Sequence, residues 1–70
     1  MSPFEKDVLL PKLQELNRWA GAICAVLLAD HTGIPERSAR HYLKRMEKAG
    51  MVERPYGPRK GWFVVQLRAV

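Results

Sequence analysis

Glycine and proline residues divide this 70-residue chain into short segments, and this punctuation limits the possible folds more than any other feature. Gly21, Gly33 and Gly50 each follow a stretch in which apolar residues recur at helical spacing, and residues 57–61 separate two stretches rich in valine and aromatics. Glycine commonly ends helices, and clusters of glycine and proline form turns. The sequence therefore predicts three helices followed by a two-stranded β-hairpin, an α+β class that is mainly α, in a single domain over residues 1–70.

The first segment carries a helix-start signal and an internal proline. Ser2 and Glu5 have the spacing of a capping box, which predicts a helix from about residue 3. Pro11 lacks an amide hydrogen and disfavours helical geometry at the residue before it, so we expect a kink or two short helices. The apolar side chains here offer more hydrophobic surface than one small core covers, which predicts a homodimer through the N-terminal helix. These side chains include Phe4, Leu9, Leu13 and Trp19, and Trp19 is expected in the core or at that dimer surface.

Two further helices and the hairpin follow. The strongly apolar stretch Ala22–His31 predicts a mostly buried helix that contains Cys24 as a buried thiol. A third helix is predicted from Pro35 to about Ala49, with proline in its first turn. The stretches Met51–Tyr56 and Trp62–Leu67 predict the hairpin strands, and the pattern allows a minimal extra strand near residue 22. The strand aromatics, Tyr56 and Trp62, are expected to cover the core.

The positive charge is concentrated in one part of the chain. The whole sequence carries a net charge of +5, and residues 36–60 hold eight of the twelve basic residues but three of the seven acidic ones. The excess of this one segment therefore accounts for the net charge of the chain. A basic segment of this kind is typical of a protein that binds a polyanion such as nucleic acid. The third helix has an apolar stripe on one face and basic residues on the opposite face.

Residues 28–54, LADHTGIPERSARHYLKRMEKAGMVER, have the pattern of a helix-turn-helix that passes into a wing. The small Ala29 lets two helices approach, Gly33 permits the sharp turn, and Ile34, Ala39 and Leu43 seal the angle. Over residues 22–67 the chain resembles the winged helix-turn-helix regulators of bacteria, archaea and their viruses. The resemblance implies sequence-specific binding of double-stranded DNA by a small transcriptional regulator, with the helix at 35–49 in the major groove.

The resemblance also implies roles for individual side chains. The residues expected to face bases are Arg37, Arg40, His41 and Lys44. The residues expected to hold phosphates from the flank of the helix are Ser38, Arg45 and Lys48. From the wing, Arg54, Arg59 and Lys60 are expected to act on the backbone or in the minor groove. A less specific interpretation is that Arg45 or Lys48 simply pairs with Glu47 or Glu53 on a solvated surface.

Other functions fit the sequence less well. We expect no enzyme activity, cofactor or metal site, because no nucleophile has a nearby base and acid suggested for it, and Cys24, His31 and His41 match no zinc spacing. A winged helix that serves as a protein adaptor in a larger nucleic-acid-handling complex is the main alternative, although an adaptor has no need for a basic face. Binding of left-handed DNA is disfavoured because Arg40 and Lys44 stand where that family carries asparagine and tyrosine. Duplex RNA is disfavoured because its major groove is too narrow to read.

The location of the protein is also an expectation from sequence. One cysteine cannot form an internal disulfide, and the N-terminus lacks the features of a signal peptide. The longest apolar run, residues 22–29, is too short to span a bilayer. We expect a soluble cytoplasmic protein, associated with the nucleoid when it is bound to DNA.

Overall fold

The structure, a computed structural model, describes residues 2–65. A π-helical turn, Glu5–Leu9, runs directly into α1, Leu10–Ala20, and α2, Ala25–Thr32, and α3, Glu36–Lys48, follow. The strands β1, Val52–Glu53, and β2, Phe63–Val64, pair antiparallel, with Val52 opposite Val64 and Glu53 opposite Phe63. The predicted order of three helices and a hairpin wing is confirmed. The strands are shorter than predicted, and residues 66–67 of the predicted second strand lie outside the described residues.

The start of the first helix follows from the capping box. The Ser2 backbone N–H and hydroxyl donate to Glu5 Oε1 at 3.1 and 2.9 Å, and the Glu5 N–H donates to the Ser2 hydroxyl at 3.3 Å. This reciprocal pattern satisfies amide groups that have no partner inside a helix. Pro11 does not break the helix, because the Leu10 N–H donates to the Glu5 carbonyl in the wider π-helical turn. Leu10 itself remains helical, so the expected interruption is a change of helix type.

The second helix begins later than predicted because the residues before it join the sheet. Ile23 and Trp62 form an antiparallel bridge in which each N–H donates to the other carbonyl, at 3.1 and 2.8 Å. This bridge is the minimal extra strand that the sequence pattern allows. Cys24 then caps α2 in an extended conformation and is exposed, so the prediction of a buried thiol is wrong. The physical reason is that successive side chains point to opposite sides of an extended backbone, so the burial of Ile23 in the bridge turns Cys24 to solvent.

The turn between α2 and α3 has the expected helix-turn-helix geometry. Gly33 adopts a left-handed conformation, φ 74° and ψ 15°, and its N–H donates to the Ala29 carbonyl at 2.9 Å. Pro35 is extended and occupies the N-cap position, so α3 begins at Glu36, one residue later than predicted. Ala29 and Ala39 are buried where the two helices pack, as expected for small residues at a close approach.

One hydrophobic core joins the helices to the wing. Its most buried side chains include Leu9, Leu13, Ile23, Leu28, Leu43, Met46 and Val52. Because Leu9 and Leu13 are fully buried within one copy of the chain, they provide no surface for the predicted dimer. Trp62 is 6% exposed, which confirms its placement in the core, whereas Tyr56 is 69% exposed and Trp19 85% exposed. The prediction that Tyr56 lies in the core is therefore wrong. Trp19 was predicted either in the core or at the dimer surface, and its exposure excludes the core.

Asn17 connects α1 to the wing through its side-chain amide. Its Nδ2 donates to the carbonyls of Gly21 and Trp62 at 2.7 and 3.0 Å, and its Oδ1 accepts from the Val64 N–H at 3.0 Å. The Asn17 side chain thus forms three hydrogen bonds with backbone groups, and two of these backbone groups belong to the wing. Sequence reasoning did not single out this residue, because its partners lie up to 47 residues away along the chain.

Replacing Asn17 with alanine should lower the free energy of unfolding by about 2–3 kcal/mol, since three hydrogen bonds of about 1 kcal/mol each are lost. Urea unfolding followed by circular dichroism measures this change. Gln14→Ala is the matched control, because Gln14 is an exposed amide on the same helix. Equal midpoints for the two variants would contradict this role for Asn17.

Candidate nucleic-acid interface

The outer face of α3 carries a line of basic and imidazole side chains. Arg37, His41, Lys44 and Lys48 are all exposed and follow at intervals of four, three and four residues. This spacing places them on one face of the helix, opposite the buried residues Ala39, Leu43 and Met46. Within residues 2–65, none of the four forms an ion pair. We call these four residues the central strip; it includes Lys48, which was expected on the flank.

One flank of the central strip is partly neutralised by an ion pair within α3. Arg40 Nη2 lies 2.9 Å from Glu36 Oε2, and both side chains are about half exposed. The two residues are separated by four positions, the spacing at which side chains meet on a helix surface. Glu36 was given no role in the site from sequence, although its four-residue spacing from Arg40 is a signal that could have revealed the pair. Arg40 therefore differs from Arg37 in having its charge compensated in the free protein.

The opposite flank is connected to the start of the chain. Arg45 Nη2 lies 3.7 Å from Oε1 of Glu5, the carboxylate of the capping box, whose side chain is 1% exposed. Burial raises the pKa of Glu5, but the hydrogen bonds from Ser2 and the charge of Arg45 outweigh it, so the pKa lies below its ordinary value of 4.5. Glu5 is therefore ionised at neutral pH and holds Arg45 beside the first helical turn. The pairing of Arg45 with Glu47 or Glu53 that the sequence allowed does not occur.

An open groove of about 240 Å³ lies along this second flank. It is lined by Arg37, Ser38, His41 and Tyr42. The Tyr42 ring packs between His41 and Phe4, with ring centroids 5.9 and 5.4 Å away. The groove thus combines a guanidinium, a hydroxyl and an imidazole on a wall stiffened by aromatic contacts. These groups can donate hydrogen bonds to an anionic oxygen.

Arg54 connects α3 to the wing. Its Nε and Nη2 donate to the two carboxylate oxygens of Glu47, both at 2.8 Å, and its guanidinium carbon lies 5.0 Å from the centroid of the Trp62 ring. A two-point bond with Glu47 raises the pKa of the Arg54 guanidinium. The side chain also reaches the Pro58 carbonyl at 3.5 Å. Arg54, expected to act on DNA from the wing, thus holds the wing against α3.

The tip of the wing presents two further cations. Arg59 and Lys60 are exposed in the turn between the strands, and neither forms an ion pair within the part of the chain that the structure describes. The turn is fixed by hydrogen bonds from the Gly57 N–H to Arg54 and from the Lys60 N–H to Gly57, both at 3.2 Å. Beside it, the exposed Tyr56 ring meets Phe63 edge to face at 5.7 Å.

These placements divide the predicted site residues into three groups. The first group forms no ion pair with any other residue in 2–65 and consists of Arg37, His41, Lys44, Lys48, Arg59 and Lys60. The compensated cations are Arg40, Arg45 and Arg54, and Ser38 is a half-buried hydroxyl in the groove. Of the acids that pair with these cations, Glu5 and Glu36 were not recognised from sequence, and Glu47 was considered as a partner of Arg45 or Lys48 rather than of Arg54.

Residues 2–65 contain no group of three or more histidine, cysteine, aspartate or glutamate side chains placed to hold a metal ion. No helix formed by these residues is long and apolar enough to cross a membrane.

A protein-family model matches most of the chain. The family model described as "FaeA-like protein" matches residues 11–64, which include all but the first residue of α1, the helix-turn-helix and the wing. No curated protein and no solved structure matches the chain significantly.

Proposed function

The chain belongs to the FaeA-like protein family, whose members are small regulators of the helix-turn-helix type, and we propose that it binds double-stranded DNA sequence-specifically as a transcriptional regulator. In this proposal α3 enters the major groove and the wing lies on the backbone or in the minor groove. The chain acts as a binding module without catalytic activity. It works in the cytoplasm, on the nucleoid when it is bound to DNA.

The observation that carries the proposal is the central strip of α3. Its members are exposed on the second helix of a helix-turn-helix, and within the described residues Arg37, Lys44 and Lys48 have no acidic partner. Cations without acidic partners on one face of a helix repel one another, which is unfavourable. A polyanion that surrounds the helix on both sides neutralises them. The major groove of B-DNA is wide enough to admit an α-helix.

Within the strip, Arg37, His41 and Lys44 are the proposed base-reading residues. Arginine and lysine recognise the O6 and N7 atoms of guanine, and a histidine donates to either acceptor. Arg40 can also contact DNA by breaking its ion pair with Glu36 and binding a base or a phosphate instead. Breaking an exposed pair at this spacing costs about 0.3–0.5 kcal/mol, so one hydrogen bond to DNA offsets it.

The remaining predicted residues are proposed to fix the position of the domain on the DNA backbone. Ser38 and Arg45 lie on one flank of α3, Lys48 lies at the C-terminal end of the central strip, and Arg59 and Lys60 extend from the wing tip. Contacts of this kind set register and orientation without reading sequence. For Arg54 the two-point bond to Glu47 favours an indirect role, in which it orients the wing relative to the helix.

The decisive experiment is amide-shift mapping by NMR during titration with random duplex DNA. We expect shifts in residues 36–48 and 57–61 and small changes in α1 residues 12–18, since the cations concentrate on α3 and the wing. A chain that shows no shifts at low salt, or shifts confined to α1, would contradict DNA binding through this face and favour the protein-adaptor alternative.

Backbone contacts and base contacts are separable by mutation. Lys60→Ala should weaken preferred and random DNA about equally and reduce the slope of log affinity against log salt by roughly one unit, as expected for one lost phosphate contact. Arg37→Ala should weaken the preferred site more than random DNA by about 1–3 kcal/mol if it reads a guanine. Fluorescence anisotropy over a series of salt concentrations measures both quantities, with Lys6→Ala as the control for loss of one positive charge. A Lys60→Ala slope equal to that of Lys6→Ala would remove the wing tip from the interface.

A further inference from the structure

The outer surface of α1 carries an exposed tryptophan that DNA binding does not explain. Trp19 is 85% exposed, and it is preceded at intervals of four, three and four residues by Glu15 and Lys12 of α1 and by Val8 of the π-helical turn that runs into α1. Val8 is 43% exposed, and the Lys12 and Glu15 side chains are 35% and 58% exposed. We call these four residues the α1 stripe. A tryptophan is among the most favourable residues to bury at a protein interface, so its near-complete exposure indicates a surface that another molecule covers.

The spacing of the stripe is that of a helix–helix seam. Intervals of three and four residues keep side chains on one face of a helix and are those of the contact positions when two helices pack side by side. The stripe lies away from the core side of α1, which is occupied by Leu13 and Leu16. It is therefore available along about three turns without any rearrangement of the fold.

The α1 stripe is complementary to a second copy of itself that runs in the opposite direction. The order is apolar, basic, acidic and apolar, and both the outer pair, Val8 and Trp19, and the inner pair, Lys12 and Glu15, are centred between residues 13 and 14. An antiparallel copy of the same helix therefore places an apolar side chain opposite an apolar one and each charge opposite its counter-charge. A two-fold symmetric interface requires this relation, because residue i meets j and j meets i.

We propose that the α1 stripe is the interface of an antiparallel homodimer with a second copy of this chain. Trp19 packs against Val8 of the partner subunit, and Lys12 faces Glu15 of the partner subunit, with the same contacts repeated across the two-fold axis. Within one chain Lys12 Nζ lies 3.1 Å from Glu15 Oε2. Two such pairs side by side form a four-charge cluster in which every charge has counter-charges on both helices.

Of the apolar side chains that predicted a dimer from sequence, this surface keeps only Trp19. Leu9 and Leu13 are buried in the core, and Phe4 packs against Tyr42. A single pair of helices in contact over about three turns buries less than the roughly 1,200 Å² typical of stable complexes. The dimer should therefore be weak in isolation and should require measurement up to millimolar concentration.

Charge exchange gives a test that needs no DNA, so its result is independent of the proposed function. Lys12→Glu alone and Glu15→Lys alone place like charges opposite each other twice in the symmetric dimer, and each should weaken self-association by roughly 10-fold. An equimolar mixture of the two variants restores both attractive pairings, since one chain then carries two acids and the other two bases at these positions. The mixture should associate at least as well as the natural chain. Sedimentation equilibrium measures all three samples, and circular dichroism checks that each is folded.

Trp19→Ala separates the apolar part of the interface from the charges. Because the side chain is 85% exposed, its removal should leave the unfolding midpoint nearly unchanged while it abolishes the dimer at concentrations where the natural chain associates. A natural chain that remains monomeric at millimolar concentration would overturn the proposal. It would indicate that a different protein binds the α1 stripe. A mixture of the two charge variants that associates no better than either alone would exclude the antiparallel register.

Discussion

Replacing both Arg37 and Lys44 with glutamate should reduce affinity for duplex DNA by about 3 kcal/mol or more, which is roughly 100-fold. The two cations lie on the central strip of α3, where within residues 2–65 neither has an acidic partner. The double variant removes two favourable contacts of about 1–3 kcal/mol each and places two anions against the phosphates. At physiological salt the double variant should bind DNA no more tightly than a protein with an uncharged surface does.

The matched control for this variant is Lys6→Glu together with Arg18→Glu. Both residues are exposed, lie outside α3 and the wing, and give the same change in net charge. Fluorescence anisotropy with one duplex at several salt concentrations should show a large loss for the α3 variant and a small, salt-screened loss for the control. If both double variants lose affinity equally, the binding is a general effect of net charge. If the folded α3 variant binds as well as the natural chain at low salt, the recognition-helix assignment is wrong and the adaptor alternative becomes the better one.

Gly61→Ala should lower the free energy of unfolding by about 3 kcal/mol or more, the largest effect on stability that we expect from adding one methyl group. Gly61 has φ 99°, and a Cβ at this position would lie 2.9 Å from the N, C and O atoms of Ile23. These are backbone atoms, which cannot move aside without breaking the two hydrogen bonds between Ile23 and Trp62. The variant should therefore detach the base of the wing from the segment before α2.

Gly57→Ala separates the clash from the cost of the backbone conformation. Gly57 also has a positive φ, 111°, but a Cβ there meets no atom within 4 Å. Its replacement should cost about 1 kcal/mol, the usual penalty for a side chain in this conformation. Urea unfolding gives both values, and hydrogen exchange at the Ile23 and Trp62 amides should increase only in Gly61→Ala. Similar losses in the two variants would show that the contact with Ile23 contributes nothing.

Several features of the fold were predictable because they depend on neighbouring residues in the chain. The capping box of Ser2 and Glu5, the left-handed Gly33 and the buried face of α3 all follow from local spacing. Helix type at Pro11 was harder to predict, because a π-helical turn and a kink are both local ways to accommodate a missing amide hydrogen. The structure adopts the former over Glu5–Leu9.

The sequence by itself determined the order of the elements, the apolar and basic faces of α3 and the concentration of charge in residues 36–60, because periodicity, caps and turns act over a few residues. Tertiary structure decided which cations remain uncompensated. Arg45 is paired by Glu5 from the other end of the helical region and Arg54 by Glu47, while Asn17 reaches the wing across 45 residues of sequence to Trp62. It also decided that Cys24 and Trp19 face solvent. These outcomes depend on which segments become neighbours in space, and no local pattern specifies that.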